Sequence, residues 1–311
     1  MAQTKSQRVA YGQTLLELAK DNKNIVVLEA DLGKSTMGLM VEPEHPEQFF
    51  EMGIAEANMA GVAAGLSLTG RVPFMASFAV FSTGRCYDQI RTGICIPDLN
   101  VKICGSSSGL SDYGDGSTHQ SIEDLAIMSV LPNMEVFSPV DAIETAKVVR
   151  YMASAKGPMY LRVNRNELPL ISNPDEEFVP GKVYTIKEGK DAVVFATGVM
   201  VSKALEAAEQ LEKEGISLKV VNVPSIKPID AEGVCAICED FEAIVTAEEH
   251  SVIGGLGATI ARAINSKLAR KIQQVGIQDV FGTSGQNYDV LLEAYGLTSG
   301  AICEAVKKAM K

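Results

Sequence analysis

The sequence lacks any run of the roughly 20 consecutive apolar residues that a helix needs to cross a bilayer. Residues 1–8 also lack the apolar core of a signal peptide. Positive charge is scarce, because 28 Lys and Arg residues face 39 Asp and Glu residues, for a formal net charge of -11. This balance disfavours sequence-independent binding to nucleic acid or anionic membranes, although local arginines can still bind small anions. We therefore expect a cytoplasmic protein whose partners include neither a nucleic acid nor a membrane.

Metal-binding motifs are also absent. The six cysteines lie in mostly apolar surroundings, which predicts reduced thiols in the core. Cys235 and Cys238 have the spacing of a metal or redox pair, but no second pair completes a zinc site. The segment around them is also predicted to be helical. A metal or redox role for these two cysteines is therefore disfavoured.

Short apolar runs alternate with amphipathic segments along the chain. In its first part, strands are predicted at 24–28, 72–78, 101–104, 134–137 and 159–163, and helices at 6–22, 56–67, 84–91, 122–127 and 141–153. In its second part, strands are predicted at 191–198, 218–223, 243–247 and 271–277, and helices at 201–214, 254–264, 287–295 and 298–310. Strands and helices that alternate at this spacing are typical of parallel, doubly wound sheets.

A change of composition separates the two parts. Residues 169–184 contain three prolines and an acidic run at 175–177, which predicts a linker. The sequence therefore predicts an α/β fold with two doubly wound domains. The first, residues 1–168, has a mostly parallel sheet, and the second, residues 185–311, is a smaller α/β domain.

Glu56 stands out because a glycine turn precedes it and a run of alanines and glycines follows it. Small residues allow close approach, so a carboxylate among them would be poorly solvated and would need a partner that shares a proton. The alternative is a charge at a helix N-terminus, favoured by the helix dipole. The local sequence leaves both interpretations open.

Two further polar residues follow predicted strands. His119, one of three histidines, lies in a glycine- and serine-rich loop, where it could move a proton or donate to a polar substrate, with Asp115 nearby. A purely structural hydrogen bond is the alternative. Arg165 follows the strand predicted at 159–163 and suits a phosphate, although a plain surface arginine is the alternative.

Four segments together resemble the C-terminal half of transketolase. They are Gly-Ile-Ala-Glu-Ala-Asn at 53–58, Ser-Phe-Ala-Val-Phe at 77–81, the segment 115–123 with Asp-Gly-Ser-Thr-His-Gln, and 160–169. They occur in the familiar order and at familiar distances, and the resemblance covers essentially the whole chain. It implies a pyrimidine-binding domain followed by the small C-terminal domain of a split transketolase, whose N-terminal half is a separate chain.

The resemblance implies cofactor contacts for four residues. Glu56 matches the catalytic glutamate that bonds the pyrimidine N1′ of thiamine diphosphate, the cofactor with which this family passes a two-carbon unit from a ketose to an aldose. Phe78 and Phe81 match the aromatic residues around the aminopyrimidine. Asp31, which follows the predicted strand 24–28, is also expected to bind the cofactor.

The resemblance implies substrate contacts as well. Asp115 and His119 match positions that contact the sugar hydroxyls, and His119 is expected to be catalytic. Arg8, Ser35 and Arg165 match positions that hold the substrate phosphate.

Two positions depart from the family pattern. Ser107 stands where the family usually has a phosphate-contacting histidine, and Gly84 replaces the third aromatic residue of the pyrimidine pocket. Both changes are compatible with thiamine chemistry, but they leave the sugar specificity open.

The resemblance also implies partners. Mg²⁺ and the cofactor's diphosphate need a fixed octahedron of oxygen ligands. Gly-Asp-Gly at 114–116 begins the usual metal motif of thiamine diphosphate enzymes, but the next asparagine, Asn133, is too close to complete it. We therefore expect no metal site in this chain and Mg²⁺ on the N-terminal subunit. The implied assembly is α₂β₂, built around a homodimer of this subunit, inactive without its partner and acting on sugar phosphates.

Two alternatives stay open. Deoxyxylulose phosphate synthase and the β subunit of 2-oxo acid dehydrogenases share Gly-Ile-Ala-Glu and a sequence like Gly-Gly-Leu-Gly at 254–257. Thr-His-Gln at 118–120 disfavours the dehydrogenase, and the missing N-terminal half disfavours the synthase. A noncatalytic structural subunit would be expected to lose Glu56 or the pocket aromatics, and both are present.

Overall fold

The computed structural model describes residues 3–265 and 267–311. The strands are β1 (Thr4–Ser6), β2 (Ile25–Glu29), β3 (Phe49–Glu51), β4 (Val72–Phe78), β5 (Lys102–Ser106), β6 (Glu135–Phe137), β7 (Met159–Arg162), β8 (Glu167–Pro169), β9 (Tyr184–Lys187), β10 (Ala192–Ala196), β11 (Leu218–Asn222), β12 (Ser225–Lys227), β13 (Ile244–Ser251) and β14 (Ile272–Ile277). The helices are α1 (Gln7–Asp21), α2 (Gly33–Thr36), α3 (Glu56–Leu68), α4 (Tyr87–Gln89), α5 (Asp124–Ser129), α6 (Ala142–Ser154), α7 (Met200–Glu212), α8 (Ala231–Glu239), α9 (Leu256–Ile264), α10 (Tyr288–Ala294) and α11 (Ser299–Ala309).

The first sheet has seven strands in the order β12-β6-β7-β5-β4-β2-β3. All neighbours pair in parallel except β12, which runs antiparallel to β6. Its central strands are mostly apolar and buried, as in β2, where four apolar residues precede Glu29 and all five residues are buried. Continuous apolar strands are expected where helices cover both faces of a parallel sheet.

The second sheet has five strands in the order β14-β13-β10-β11-β9. Only β9 runs antiparallel to its neighbour. A small antiparallel pair, β1 with β8, ties the N-terminus to the end of the first domain. The prediction of an α/β fold with two sheet-centred domains is thus confirmed, while the boundaries 1–168 and 185–311, with a linker at 169–184, remain a proposal.

The two sheets share buried surface. One apolar cluster joins Met75 and Ile103 of the first sheet to Phe195 and Ile244 of the second. In addition, β12 follows the predicted linker in the chain but completes the edge of the first sheet. The second half of the chain is therefore packed firmly against the first.

One predicted helix differs from the structure. Instead of a regular helix at 84–91, two wider helical turns, Phe81–Arg85 and Ile90–Cys95, flank the short α4. The hydroxyl of Thr83 donates to the carbonyl of Ala79 at 2.6 Å. Hydroxyl side chains that bond the preceding turn disturb a regular helix, and the sequence pattern alone does not reveal this.

Two sequence expectations concern the core and the membrane. All six cysteines are buried and unpaired, in agreement with core thiols. Within residues 3–265 and 267–311, no helix combines the length and the apolar character needed to cross a membrane.

Candidate active site

Five of the predicted site residues lie at or just after the carboxyl ends of neighbouring strands of the first sheet. Asp31 follows β2, Phe78 ends β4, and Arg165 lies just past β7. The loop that carries Asp115 and His119 follows β5. Since the carboxyl ends of parallel strands meet at one edge of the sheet, this is where α/β folds hold ligands.

Glu56 is the first residue of α3, and it is only 4% exposed. Its Oε1 accepts a hydrogen bond from Nη1 of Arg85 at 2.7 Å. The carboxylate therefore lies at a helix N-terminus, where the helix dipole favours a negative charge. It is also buried and paired with a cation, so each of the two interpretations of Glu56 drawn from the sequence is partly right. Next to it, burial raises the pKa of the Cys86 thiol to about 12, and the negative charge of Glu56 adds to that effect.

Arg85 is a site residue that the sequence analysis missed. Its guanidinium carbon lies 3.8 Å from the centre of the Phe81 ring, while the side chain remains about half exposed. The sequence contains no direct signal for this contact, because the predicted helix begins at residue 84 and the wide helical turn at 81–85 is seen only in the structure. The arginine thus stacks on the predicted pocket aromatic and neutralises the predicted catalytic carboxylate.

Two phenylalanines and a histidine form an aromatic cluster. The rings of Phe78 and Phe81 lie nearly parallel, with centroids 6.0 Å apart and an interplanar angle of 18°. The ring of His119 meets both edge-on, at 6.2 Å from Phe78 and 5.1 Å from Phe81. The structure therefore brings His119 to a pair of phenylalanines that lies far from it in the sequence.

Arg8, Ser35 and Arg165 also come together. Nε of Arg8 donates to the carbonyl of Arg165 at 3.0 Å, and its Nη1 donates to the carbonyl of Ser35 at 2.6 Å. Burial lowers the pKa of Arg8, and the positive charge of Arg165 lowers it further. The two guanidinium groups are therefore near enough for their charges to interact, and together they suit an anion with several oxygens.

Asp112 is a second residue that the sequence analysis missed. Its Oδ2 accepts from Nη1 of Arg165 at 3.1 Å, and the carboxylate is buried. Burial raises its pKa, and Arg165 opposes that rise. No sequence signal identifies Asp112, because the contact depends on how the loop after β5 folds back toward β7. It orients one of the two arginines.

Asp115 and His119 lie on the same loop but do not pair. Asp115 is exposed, and its negative charge raises the pKa of the neighbouring Asp112. His119 Nδ1 shares a hydrogen bond with Oγ1 of Thr118 at 2.9 Å. In residues 3–265 and 267–311, no hydrogen bond joins Asp115 to His119, so the two side chains are held independently of each other.

Asp31 contacts the segment that leads into α3. Its φ is +59°, and its N–H donates to Oε1 of Glu51 at 2.8 Å. The same oxygen accepts the N–H of Gly53 at 2.9 Å. Glu51 therefore ties the turn after β2 to the turn before Glu56.

The two departures from the family pattern lie inside this arrangement. Ser107 is buried, and its Oγ lies 3.5 Å from Nη1 of Arg165. Gly84 is exposed, and a Cβ added there would meet no atom within 4 Å. At both positions the side chain is smaller than the histidine or aromatic residue of the family pattern, so the site has more open space there.

These residues fit one half of thiamine diphosphate. A buried carboxylate beside two nearly parallel rings suits a flat heterocycle that carries hydrogen-bonding nitrogens. The part of the chain that the structure describes holds no group of three or more His, Cys, Asp or Glu residues placed to bind a metal ion.

Comparisons with known proteins agree with this geometry. The profile of the transketolase pyrimidine-binding domain matches residues 3–170, and that of the transketolase C-terminal domain matches residues 181–302. A solved chain described as a split gene transketolase, inactive beta4 tetramer, has 47% sequence identity and a TM-score of 0.89, with 98% of each chain covered.

Two curated relatives match nearly the whole chain. The putative transketolase C-terminal section of Methanocaldococcus jannaschii is 44% identical over 310 residues, 99% of this chain and 97% of the relative. The 6-deoxy-6-sulfo-D-fructose transketolase subunit of Clostridium sp. strain MSTE9 is 39% identical over 298 residues, 96% of this chain and 92% of the relative. The chain therefore belongs to the transketolase family and contains its pyrimidine-binding and C-terminal domains.

Proposed function

We propose that this chain is the C-terminal subunit of a thiamine diphosphate-dependent transketolase. It would transfer a two-carbon ketol unit from a ketose phosphate to an aldose phosphate, together with a separate N-terminal subunit. The observation that carries the proposal is the buried carboxylate of Glu56 beside the Phe78–Phe81 pair, at the ligand-binding edge of the sheet.

Cofactor binding is assigned to residues of the first domain. Thiamine diphosphate, when bound, supplies the carbon that carries the two-carbon unit. Glu56 would hold a proton at a ring nitrogen of the pyrimidine, and Phe78 and Phe81 would exclude water from one face of that ring. Arg85 balances the charge of Glu56. Asp31 is proposed as a further cofactor contact.

Substrate binding is assigned to the arginine pair and the loop after β5. Arg8 and Arg165, with Ser35 beside them, would bind the substrate's anionic group. Asp115 and His119 would contact the sugar hydroxyls. His119 is also suited to moving a proton, because an imidazole ring can accept a proton at one nitrogen and donate one from the other.

The substrate class is part of the proposal. The clostridial relative is named for a sulfosugar, and two arginines can bind a sulfonate as well as a phosphate. The small Ser107 beside Arg165 leaves room for either group. We propose a sugar phosphate and a place in the pentose phosphate pathway, and we expect a phosphate-bearing ketose to be used more efficiently than its sulfonate analogue.

The assembly is also part of the proposal. The relative that is described as a C-terminal section has nearly the same length as this chain, which supports a separate N-terminal subunit that carries the Mg²⁺ site. We propose a cytoplasmic α₂β₂ complex around a homodimer of this subunit. Exposed Ile54 and Leu68, each 74% exposed, flank Gly61 and Gly65 on α3, which supports close packing of this helix against another chain.

Substitution of Glu56 tests the function directly. In the complex reconstituted with the N-terminal subunit, we expect Glu56→Gln to lower kcat by about 10²- to 10⁴-fold, because the amide cannot hold the proton that the carboxylate holds. The matched control is Glu17→Gln, which changes an exposed glutamate of α1. A Glu56→Gln complex that turns over at the wild-type rate would show that the assignment is wrong.

A further inference from the structure

A glutamate of the second sheet reaches into the active-site loop. We define this loop as residues 109–121, which include Asp112, Asp115 and His119. Glu249 of β13 is 2% exposed, and its Oε1 accepts the backbone N–H of Leu110 at 2.8 Å. Its Oε2 lies 3.4 Å from Nδ2 of Asn164, next to Arg165.

The loop is closed where Glu249 meets it. Gly109 and Ser121 exchange two backbone hydrogen bonds, of 2.8 and 3.1 Å. Gly109 has a φ of +60°, and a Cβ added there would lie 2.4 Å from the carboxyl carbon of Glu249. Only glycine allows this backbone conformation and this close approach together. The carboxylate therefore sits directly against the base of the loop.

Glu249 is itself held in place. Nη2 of Arg162 donates to the carbonyl of Glu249 at 2.8 Å, while Nε of Arg162 donates to Asp124 at 2.9 Å. The hydroxyl of Tyr288 accepts from Asn164 at 2.7 Å, which closes the network from α10. All of these side chains are buried, so the network is protected from water.

The second domain contacts the loop at two further points. Nε2 of Gln120 donates to the carbonyl of Thr283 at 3.0 Å. The N–H of Gly285 donates to the carbonyl of Tyr113 at 2.8 Å. These contacts reach the loop near both of its ends, and among the second-domain residues that the structure describes, Glu249 is the only one to contact the loop through a buried charged side chain.

We propose that Glu249 is a positioning residue, through which the second domain fixes the active-site loop. It forms no hydrogen bond to Asp115, His119 or Arg165 in the described residues, and it acts on them through Leu110, Gly109 and Asn164. This inference rests on the proposed function only where it assigns substrate contacts to the loop residues; the contacts of Glu249 with the loop do not depend on it. The second domain then serves the active site of the first domain of the same chain.

Hydrogen exchange on the intact chain tests whether Glu249 holds the loop in place, and it needs no measurement of enzyme activity. We expect Glu249→Ala to speed exchange in peptides from 109–121 by about tenfold or more, because Leu110 loses its acceptor. Glu249→Gln, which keeps an acceptor oxygen, should restore slow exchange. If the alanine variant does not fold, Glu249→Asp serves instead. Its side chain is one methylene shorter, so its carboxylate lies farther from the N–H of Leu110, and exchange in the loop should again be faster.

Glu248 provides the matched control. It is the equally buried neighbour on β13, but its carboxylate accepts the N–H groups of Leu256 and Gly257 at the start of α9. Glu248→Ala should therefore speed exchange in α9 and leave the loop unchanged. Unchanged exchange at 109–121 in the Glu249 variants, or an equal increase over the whole chain, would overturn the proposal.

Kinetics of the reconstituted complex test the functional half. We expect Glu249→Ala to raise KM for the ketose phosphate by about tenfold and to lower kcat by less than about threefold, with Glu249→Gln close to wild type. An unchanged KM would overturn the positioning role. An inactive wild-type complex would instead overturn the proposed function, and the exchange experiment would still decide whether Glu249 holds the loop.

Discussion

At the scale of single residues, the site is defined by charged pairs. Glu56 with Arg85 and Asp112 with Arg165 each join a buried carboxylate to a partly exposed arginine. Removal of one partner from such a pair leaves a buried charge without compensation. The arginines are therefore held in fixed orientations before a ligand arrives.

Asp112 provides a test of this arrangement. We expect Asp112→Asn to raise KM for the phosphate substrate by about tenfold with a small effect on kcat, because Arg165 loses a charge-assisted hydrogen bond that orients it. Steady-state kinetics of the complex would measure this. Glu176→Gln, which breaks the exposed pair with Lys182, is the control, and an equal effect of both substitutions would argue against an orienting role for Asp112.

The sequence analysis found the site residues that belong to recognisable segments and missed their partners. Glu56, Phe78 and His119 occur in motifs, and the structure places them at one sheet edge. Arg85 and Asp112 were missed, because their roles depend on contacts formed only when the loops after β4 and β5 fold. A single sequence contains no direct signal for such pairings.

At the scale of elements, the buried central strands were the most predictable, whereas the short strands β1, β3, β8 and β9 were not predicted. Buried parallel strands are short, continuous apolar runs, so β2, β4 and β10 were all expected close to their observed bounds. The segment after β4 was less predictable, because local hydroxyl bonds produce wide helical turns there. The pairing of β12 with β6 was not predicted, since edge strands of three residues have little pattern of their own.

A buried glutamate on α6 makes stability depend on pH. Glu144 accepts from the N–H of Val140 and from Nδ2 of Asn222 on β11, and burial raises its pKa from 4.5 to about 7. Between these two values the folded chain binds more protons at this site than the unfolded chain does. The free energy of unfolding therefore falls as pH rises from about 4.5 through 7.

We expect Glu144→Gln to flatten this dependence. A shift of this size corresponds to roughly 3 kcal/mol, so the fall in unfolding free energy between pH 5 and pH 8 should be smaller in the variant by up to about that amount. Urea unfolding at the two pH values measures it. Burial also raises the pKa of Glu248 and Glu249 to about 7, but both are present in each protein, so their contributions cancel. Parallel slopes for the two proteins would contradict this account of Glu144.

At the scale of the whole molecule, we propose that the chain supplies half of an active site. The described residues offer a carboxylate and two aromatic rings for a pyrimidine, and two arginines for an anion, but no cluster of metal ligands for a diphosphate-bound ion. The second domain shares a core and a sheet edge with the first. It is therefore expected to contribute to the shape of the site as well as to assembly.

The division of the site between two chains is the central claim, and calorimetry tests it most directly. Thiamine diphosphate with Mg²⁺ would be titrated into this chain alone and into this chain mixed with its N-terminal subunit. We predict a Kd weaker than about 1 mM for the chain alone and at least about 100-fold tighter binding for the mixture. Tight, Mg²⁺-dependent binding by the isolated chain would contradict the account.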